Sequence, residues 1–245
     1  MSFNSPAEKR QYVNDMFARI ARRYDLMNRL MTGGQDQQWR KRLIQQAHLP
    51  PQGKMLDIAT GTGDIAFEAL RQQPQLSQVV GADFTLPMLR EAQQRGQTKT
   101  HKHSEVGSSL RFSWSGADTL HLPFPDNTFD AVASGFLLRN VISVPAALAE
   151  QRRVCKVGGR VLVLEIPRPA DSWWGRLFRF YFHRIVPILG SLISGQPDAY
   201  TYLPASADLF LRPTELKAEM ERVGLRQVSY QMLMLQTVAL HVGIK

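Results

Sequence analysis

Three acids in the first half of the chain stand in or at the ends of short apolar runs. The run Lys54-Met55-Leu56-Asp57-Ile58-Ala59 carries Asp57 and passes into Thr60-Gly61-Thr62-Gly63-Asp64, and a helical pattern opens directly afterwards at Ile65, Ala66, Ala69 and Leu70. A buried strand feeding a glycine turn and then a helix N-terminus is the cofactor corner of an open α/β sheet. Gly61 and Gly63 suit it because positive φ and a closely approaching ligand both exclude a Cβ. Gln78 to Asp83 is a second buried run ending in an acid, at roughly the ~20-residue offset where such folds set a carboxylate on a ribose hydroxyl pair. A plainer use of Asp83 is a helix N-cap. Asp118, with Thr119 beside it, follows a third run and can accept from the exocyclic amine of a purine; its plainer use is an Asx-turn.

The spacing Gly61-x-Gly63-x-x-Ala66 also fits a dinucleotide fingerprint, so the glycines do not name the cofactor. Asp64 separates the two candidates. A pyrophosphate needs the helix N-terminus free for anions, and a carboxylate there repels it, which weakens a nicotinamide oxidoreductase. A sulfonium amino-acid ligand carries an ammonium group that an acid favours. S-adenosylmethionine therefore fits better, with Asp57, Gly61, Thr62, Gly63 and Asp64 at its methionine end and Asp83 on its ribose.

The elements that must hold these residues alternate. Strands are expected at 54–58, 78–83, 110–114 and near Phe129 to Val132, with helices after the first, second and fourth. The C-terminal end of the fourth, Gly135-Phe136-Leu137-Leu138-Arg139-Asn140, falls on the face where ligands bind. A helix over Val144 to Val154, a turn at Gly158-Gly159 and the apolar strand Arg160 to Ile166 continue a mostly parallel sheet. A helix from Thr214 to Val223 and a closing pair of strands, 226–232 and 235–242, add an antiparallel edge. Before the sheet, residues 7–22 read as an amphipathic helix crowded by Lys9, Arg10, Arg19, Arg22 and Arg23. Residues 95–109 read as a polar loop. In that loop His101 and His103 have no Cys or acid pair to complete a metal site, so no metal is expected.

The charge of +9 and the single Cys155 point to an anionic partner and to no internal disulfide. No secretory signal pattern and no run of ~20 uncharged apolar residues is present. Trp173 to Gly190 interleaves aromatics, aliphatics and arginines, which suits a helix lying at an interface or lidding an apolar pocket. Nucleic acid as a substrate is disfavoured: neither an aromatic-proline tetrad for base methylation nor a suitably placed catalytic Cys is found.

Larger stretches carry a resemblance. Tyr24-Asp25-Leu26-Met27-Asn28 through Trp39-Arg40, Asp57 to Asp64, Leu122 to Asp130, Leu138-Arg139-Asn140-Val141, Arg153 to Glu165, Tyr202-Leu203-Pro204 and Thr237 to His241 resemble the ubiquinone/menaquinone biosynthesis C-methyltransferases. The resemblance covers nearly the whole chain. It implies a seven-stranded class I S-adenosylmethionine-dependent methyltransferase fold, a polyprenylated quinol substrate and methylation of a ring carbon. Demethylmenaquinol is favoured over a 2-methoxy-6-polyprenyl-benzoquinol. It further implies that Arg139 and Asn140 serve the acceptor hydroxyl and that Tyr24, Asn28 and Tyr202 orient the ring. A helical extension over 1–53, a methyltransferase domain over 54–245 and an apolar lid at 170–212 follow. The expected setting is cytoplasmic, peripheral to the inner face of an anionic membrane; a homo-oligomer stays open.

Overall fold

A computed structural model of the chain describes residues 3, 5–102 and 112–245. Seven strands form one sheet in the order β3-β2-β1-β4-β5-β7-β6. They are β1 (Lys54–Ile58), β2 (Gln78–Asp83), β3 (Phe112–Gly116), β4 (Phe129–Gly135), β5 (Cys155–Glu165), β6 (Arg226–Leu233) and β7 (Val238–Ile244). The first five pair in parallel, and β7 pairs antiparallel with both β5 and β6. This is the expected architecture. The order reverses between β1 and β4, so their carboxyl ends flank the crevice where such sheets bind ligands.

Neighbouring residues of the inner strands point to opposite faces, as the period of two requires. Leu56, Val80, Val132 and Val161 join one buried cluster with Leu148 and Met220 of helices α6 (Val144–Val154) and α10 (Pro213–Arg222). Met55, Val79, Ala131 and Leu162 join the other, with Trp39, Leu43 and Ile44 of α3 (Gln35–Ala47) and Ile65 and Ala66 of α4 (Asp64–Gln72). Part of the N-terminal extension is therefore built into the sheet's own core.

A third cluster sits over the crevice. It joins Met16 and Ile20 of α1 (Pro6–Ile20) and Met27 of α2 (Tyr24–Thr32) to Phe182, Val186 of α8 (Val186–Ser194), and Tyr200 and Tyr202 of α9 (Pro197–Asp208). The 173–190 segment is α7 (Trp173–Phe180), a π-helical turn at Tyr181–Ile185, and α8. Pro187 has no N–H to give, and its ring crowds the carbonyl four residues back. The wider π turn lets the chain stay helical into it.

Several boundaries differ from the sequence expectation. The polar stretch from Arg95 is helix as far as Lys102, because α5 (Leu86–Lys102) continues through it. Its residues are mostly good helix formers, and buried Gly96 packs toward Phe67 and Trp114. The rest of the expected loop, with His103 and the first residues of the expected third strand, lies outside the described residues. Strand β5 starts at Cys155 and runs through Gly158, at φ +80°, by a register shift against β4.

Candidate active site

The glycine turn is built as its residue types require. Gly61 and Gly63 have φ of +56° and +88°, and a Cβ on Gly63 would meet Phe67 at 2.8 Å and Trp114 at 2.9 Å. Asp57 lies fully buried beneath the turn. Its Oδ2 accepts from Thr60 Oγ1 at 2.6 Å and from the Ala66 amide at 3.2 Å, while Oδ1 has no partner. Burial pushes its carboxyl up to about 7, with the two hydrogen bonds opposing. Asp83 closes the other side, its Oδ2 accepting from the Gly61 amide and its Oδ1 from the Thr85 amide, both at 2.8 Å. Burial raises its pKa too.

Asp64 is placed differently from the expectation of a lone acid awaiting an ammonium group. Arg95 Nη2 reaches its Oδ1 at 2.6 Å and Arg40 Nη1 its Oδ2 at 3.3 Å. Arg95 also pairs with Asp25 at 2.7 Å and donates to the Thr62 carbonyl, and the Thr62 hydroxyl donates to Asp25 Oδ1 at 2.6 Å. Arg40 pairs with Asp36 as well. The cluster binds the turn to α2, α3 and α5. It also neutralises much of the charge that argued against a pyrophosphate.

Two cavities meet beyond the turn. The first encloses ≈ 140 Å³ and is lined by Gly61, Asp83, Asp118, Thr119 and Gly135 from the sheet's carboxyl edge, with Val13 and Phe17 of α1 opposite. Asp118 does close the Asx-turn, accepting from the Leu120 amide at 3.0 Å. Its other oxygen pairs with Arg10 at 2.9 Å, and the Arg10 guanidinium also lies 4.4 Å from the Phe84 ring centroid. Lys9, one residue earlier, donates to the Val141 carbonyl at 2.9 Å. Helix α1 thus spans the mouth from the Asp118 side to the Arg139-Asn140 side.

The second cavity, ≈ 90 Å³, is mostly aromatic and aliphatic, with Trp39, Phe178, Tyr181 and Phe182 in its wall. Tyr24, Asn28, Arg139, Asn140 and Tyr202 all line it. Arg139 Nη1 pairs with buried Glu165 at 2.8 Å, and its Nε has no partner. Tyr202 donates to Asn140 Oδ1 at 3.1 Å, and Asn140 Nδ2 donates to the Phe136 carbonyl at 3.0 Å. Burial raises the Tyr24 hydroxyl, with Asn28 and Arg139 opposing, and pushes Tyr202 up to about 12. Both phenols stay protonated donors. Phe17, Tyr24, Phe136 and Asn140 line both cavities. Phe136 has a φ of +58°, a strained value for a bulky residue, and it stands at this junction.

Every residue expected at the site lies at or directly behind one of the two cavities. Gly61, Asp83, Asp118 and Thr119 line the first, whereas Asp57, Thr62, Gly63 and Asp64 shape the turn from behind. Sequence reasoning gave no role to Arg95, which it placed in a loop, to Asp25 and Arg40, or to Glu165. Asp25, Arg40 and Glu165 lie within the stretches that carry the resemblance and Arg95 opens the expected loop, but only the fold brings Asp25, Arg40 and Arg95 together around Asp64. Among the described residues no group of three or more His, Cys, Asp or Glu is gathered as metal ligands would be.

Comparison with known proteins agrees with this geometry. The chain is 43% identical over 244 residues to the demethylmenaquinone methyltransferase of Roseiflexus castenholzii, covering 98% of this chain and 96% of the relative. It is 42% identical over 234 residues to the ubiquinone/menaquinone biosynthesis C-methyltransferase UbiE of Desulfotalea psychrophila, covering 95% and 90%. A solved SAM dependent methyltransferase from Aquifex aeolicus shares the fold, with a TM-score of 0.59 at 14% identity over 90% of this chain and 97% of that one. The profile of the ubiE/COQ5 methyltransferase family matches residues 6–245. With nearly the whole chain matched, it belongs to the ubiE/COQ5 methyltransferase family and is an S-adenosylmethionine-dependent methyltransferase.

Proposed function

We propose that the chain methylates a ring carbon of a polyprenylated quinol, demethylmenaquinol in menaquinone formation, with the cofactor in the first cavity and the quinol ring in the second. The observation that carries this reading is the shared wall of Phe17, Tyr24, Phe136 and Asn140. A cavity edged by the carboxylates of Asp83 and Asp118 opens there onto an aromatic and aliphatic one. Relatives named for demethylmenaquinone support the naphthoquinol over the benzoquinol. Of the 1–53 extension, α1 and α2 act in this reading as a lid together with 170–212, while α3 belongs to the core of the methyltransferase domain.

When bound, S-adenosylmethionine supplies an electrophilic methyl group on a sulfonium. The chain's own residues make the acceptor carbon nucleophilic. A ring hydroxyl must give its proton to solvent water so that charge spreads to the adjacent carbon. The Arg139 guanidinium cation stabilises the phenolate. Tyr24, Asn28 and Tyr202 hold the ring, and fixed geometry supplies much of the rate. Methyl transfer would join the methyl carbon to the ring carbon, leave S-adenosylhomocysteine, and end with the ring proton passing to solvent water.

The same cavity offers a route to the lipid phase. Phe178, Phe182 and Val186 face inward, while Trp173, Trp174, Leu177, Phe180 and Ile188 of the same segment are exposed, Trp173 by 62% and Phe180 by 60%. Leu26 and Leu30 of α2 are exposed as well, and Tyr181 bonds the Met31 carbonyl at 2.9 Å to hold α2 against the segment. Arg22, Arg23, Arg29, Arg176 and Arg184 are exposed around them. We infer that this face docks on an anionic bilayer, each cation adding about 1 kcal/mol near the surface. Among the described residues no helix is long and apolar enough to cross a membrane. Co-sedimentation with vesicles tests the docking: binding should rise with anionic lipid and fall with salt, and equal, salt-insensitive binding to neutral vesicles contradicts it. Quinones from cells lacking this protein test the substrate. Accumulated demethylnaphthoquinone is expected, and accumulated benzoquinone precursor would favour the second ring.

A further inference from the structure

Glu165 ends β5, is 1% exposed and does not line either cavity. Its Oε2 pairs with Arg139 Nη1 at 2.8 Å and accepts from the Ile166 amide at 3.2 Å, and its Oε1 faces the Arg139 amide at 3.4 Å. The carboxylate is therefore fixed by the strand end and grips both the side chain and the backbone of one residue. Burial raises its pKa, while the Arg139 charge holds it down. Arg139 has no other side-chain hydrogen bond among the described residues. The Phe136 ring centroid lies 5.4 Å from its guanidinium carbon, and its unpartnered Nε is buried in the wall of the acceptor cavity.

We propose that Glu165 is a positioning residue: it seats the Arg139 guanidinium so that its free edge meets the acceptor oxygen. The inference rests on the role given to Arg139 above. A surface arginine samples many rotamers, and an arginine held by one carboxylate at a fixed strand end does not. The Nη1–Oε2 contact fixes the place of the guanidinium, and the Oε1–amide contact fixes the carboxylate that holds it. The pair is also neutral as a unit, so an ionised acceptor does not meet a permanently unbalanced buried charge before substrate binds. A misplacement of ~1 Å in such a site costs on the order of 100-fold in rate.

Glu165→Gln should lower kcat at least about 10-fold, with KM for the quinol and calorimetric affinity for S-adenosylmethionine nearly unchanged. Unchanged kcat overturns the proposal. That single variant leaves a guanidinium buried without its carboxylate, which can unfold a protein. A second experiment compares removal of the cation alone with removal of both charges. Arg139→Ala should be inactive and be rescued by added guanidinium ion, bound on Glu165 and detected both by turnover and by thermal upshift. In Arg139→Ala/Glu165→Gln, half-maximal rescue should need at least about 10-fold more guanidinium. Equal rescue in the two backgrounds overturns the role of Glu165, and full activity of Arg139→Ala without guanidinium overturns the Arg139 reading beneath it. If Arg139→Ala is inactive and guanidinium raises its melting temperature but not its turnover, the seat is structural and the proposal fails.

Discussion

Helix α1 should loosen measurably when Arg10 is replaced by alanine. Its buried apolar residues, Met16 and Ile20, are both in its C-terminal half. The N-terminal half is held by the Ser5 cap, by Lys9 on the Val141 carbonyl, by the Tyr12 ring between Phe3 and Tyr202, and by Arg10. The Arg10–Asp118 pair spans 2.9 Å with its two side chains 47% and 22% exposed. Screening limits such a pair to about 0.5–1 kcal/mol, and the contact over Phe84 adds about 0.5–1 kcal/mol. Together they give about 1–2 kcal/mol, or roughly a 5–30-fold rise in the open population of the helix. Hydrogen exchange of the α1 amides without cofactor reads that change directly. Arg10→Ala should exchange faster by this factor, while Arg22→Ala should match the parent protein. High salt should shrink the difference. Equal α1 exchange in Arg10→Ala and the parent would refute the idea that this residue clamps the helix across the cavity mouth.

Other expectations concern the turn and the acceptor wall. Asp57 has its folded pKa raised to about 7, above the unfolded carboxylate range. It therefore stabilises the fold fully at low pH, and that contribution is lost as pH rises through about 7, by at most roughly 4 kcal/mol. The melting temperature of the cofactor-free protein should fall between pH 5 and pH 8 by way of this group, and Asp57→Asn should flatten the fall; an unchanged slope would remove the assignment. Gly63→Ala should cost about 1–3 kcal/mol in denaturant unfolding, since its φ of +88° and the Phe67 and Trp114 rings both resist a Cβ. Tyr202→Phe frees Asn140 Oδ1 and should reduce kcat about 10-fold with cofactor affinity intact; parental kinetics would exclude an orienting role.

The fold was largely legible because its signals are local. Strand runs at 54–58 and 78–83, the glycine turn and the alternation of helix and strand each declare themselves within a few residues. Gly61 and Gly63 could be assigned positive φ from residue type alone. Arg95 could not be read, because a polar, glycine-containing stretch looks the same as exposed helix or as loop until its neighbours are known. Only the packing of Gly96 toward Phe67 and Trp114 decides for helix, and that brings Arg95 to Asp64. The misjudged charge at Asp64 follows from the same gap, since its partners come from α3 and α5. Glu165 was hidden for another reason: no glycine turn follows it to suggest a ligand, and the cation that gives it a role, Arg139, is 26 residues away.

The central claim is that the methyl group reaches a ring carbon of a quinol held beside Arg139 and Asn140. The most direct measurement supplies S-adenosylmethionine carrying a ¹³C-methyl group with a reduced demethylnaphthoquinol in anionic vesicles, and follows the label by NMR and mass spectrometry. The account predicts one ring-carbon methyl per S-adenosylhomocysteine formed, and neither product with Arg139→Ala. A methyl group on oxygen, or no transfer to any quinol by protein that binds the cofactor, would contradict it.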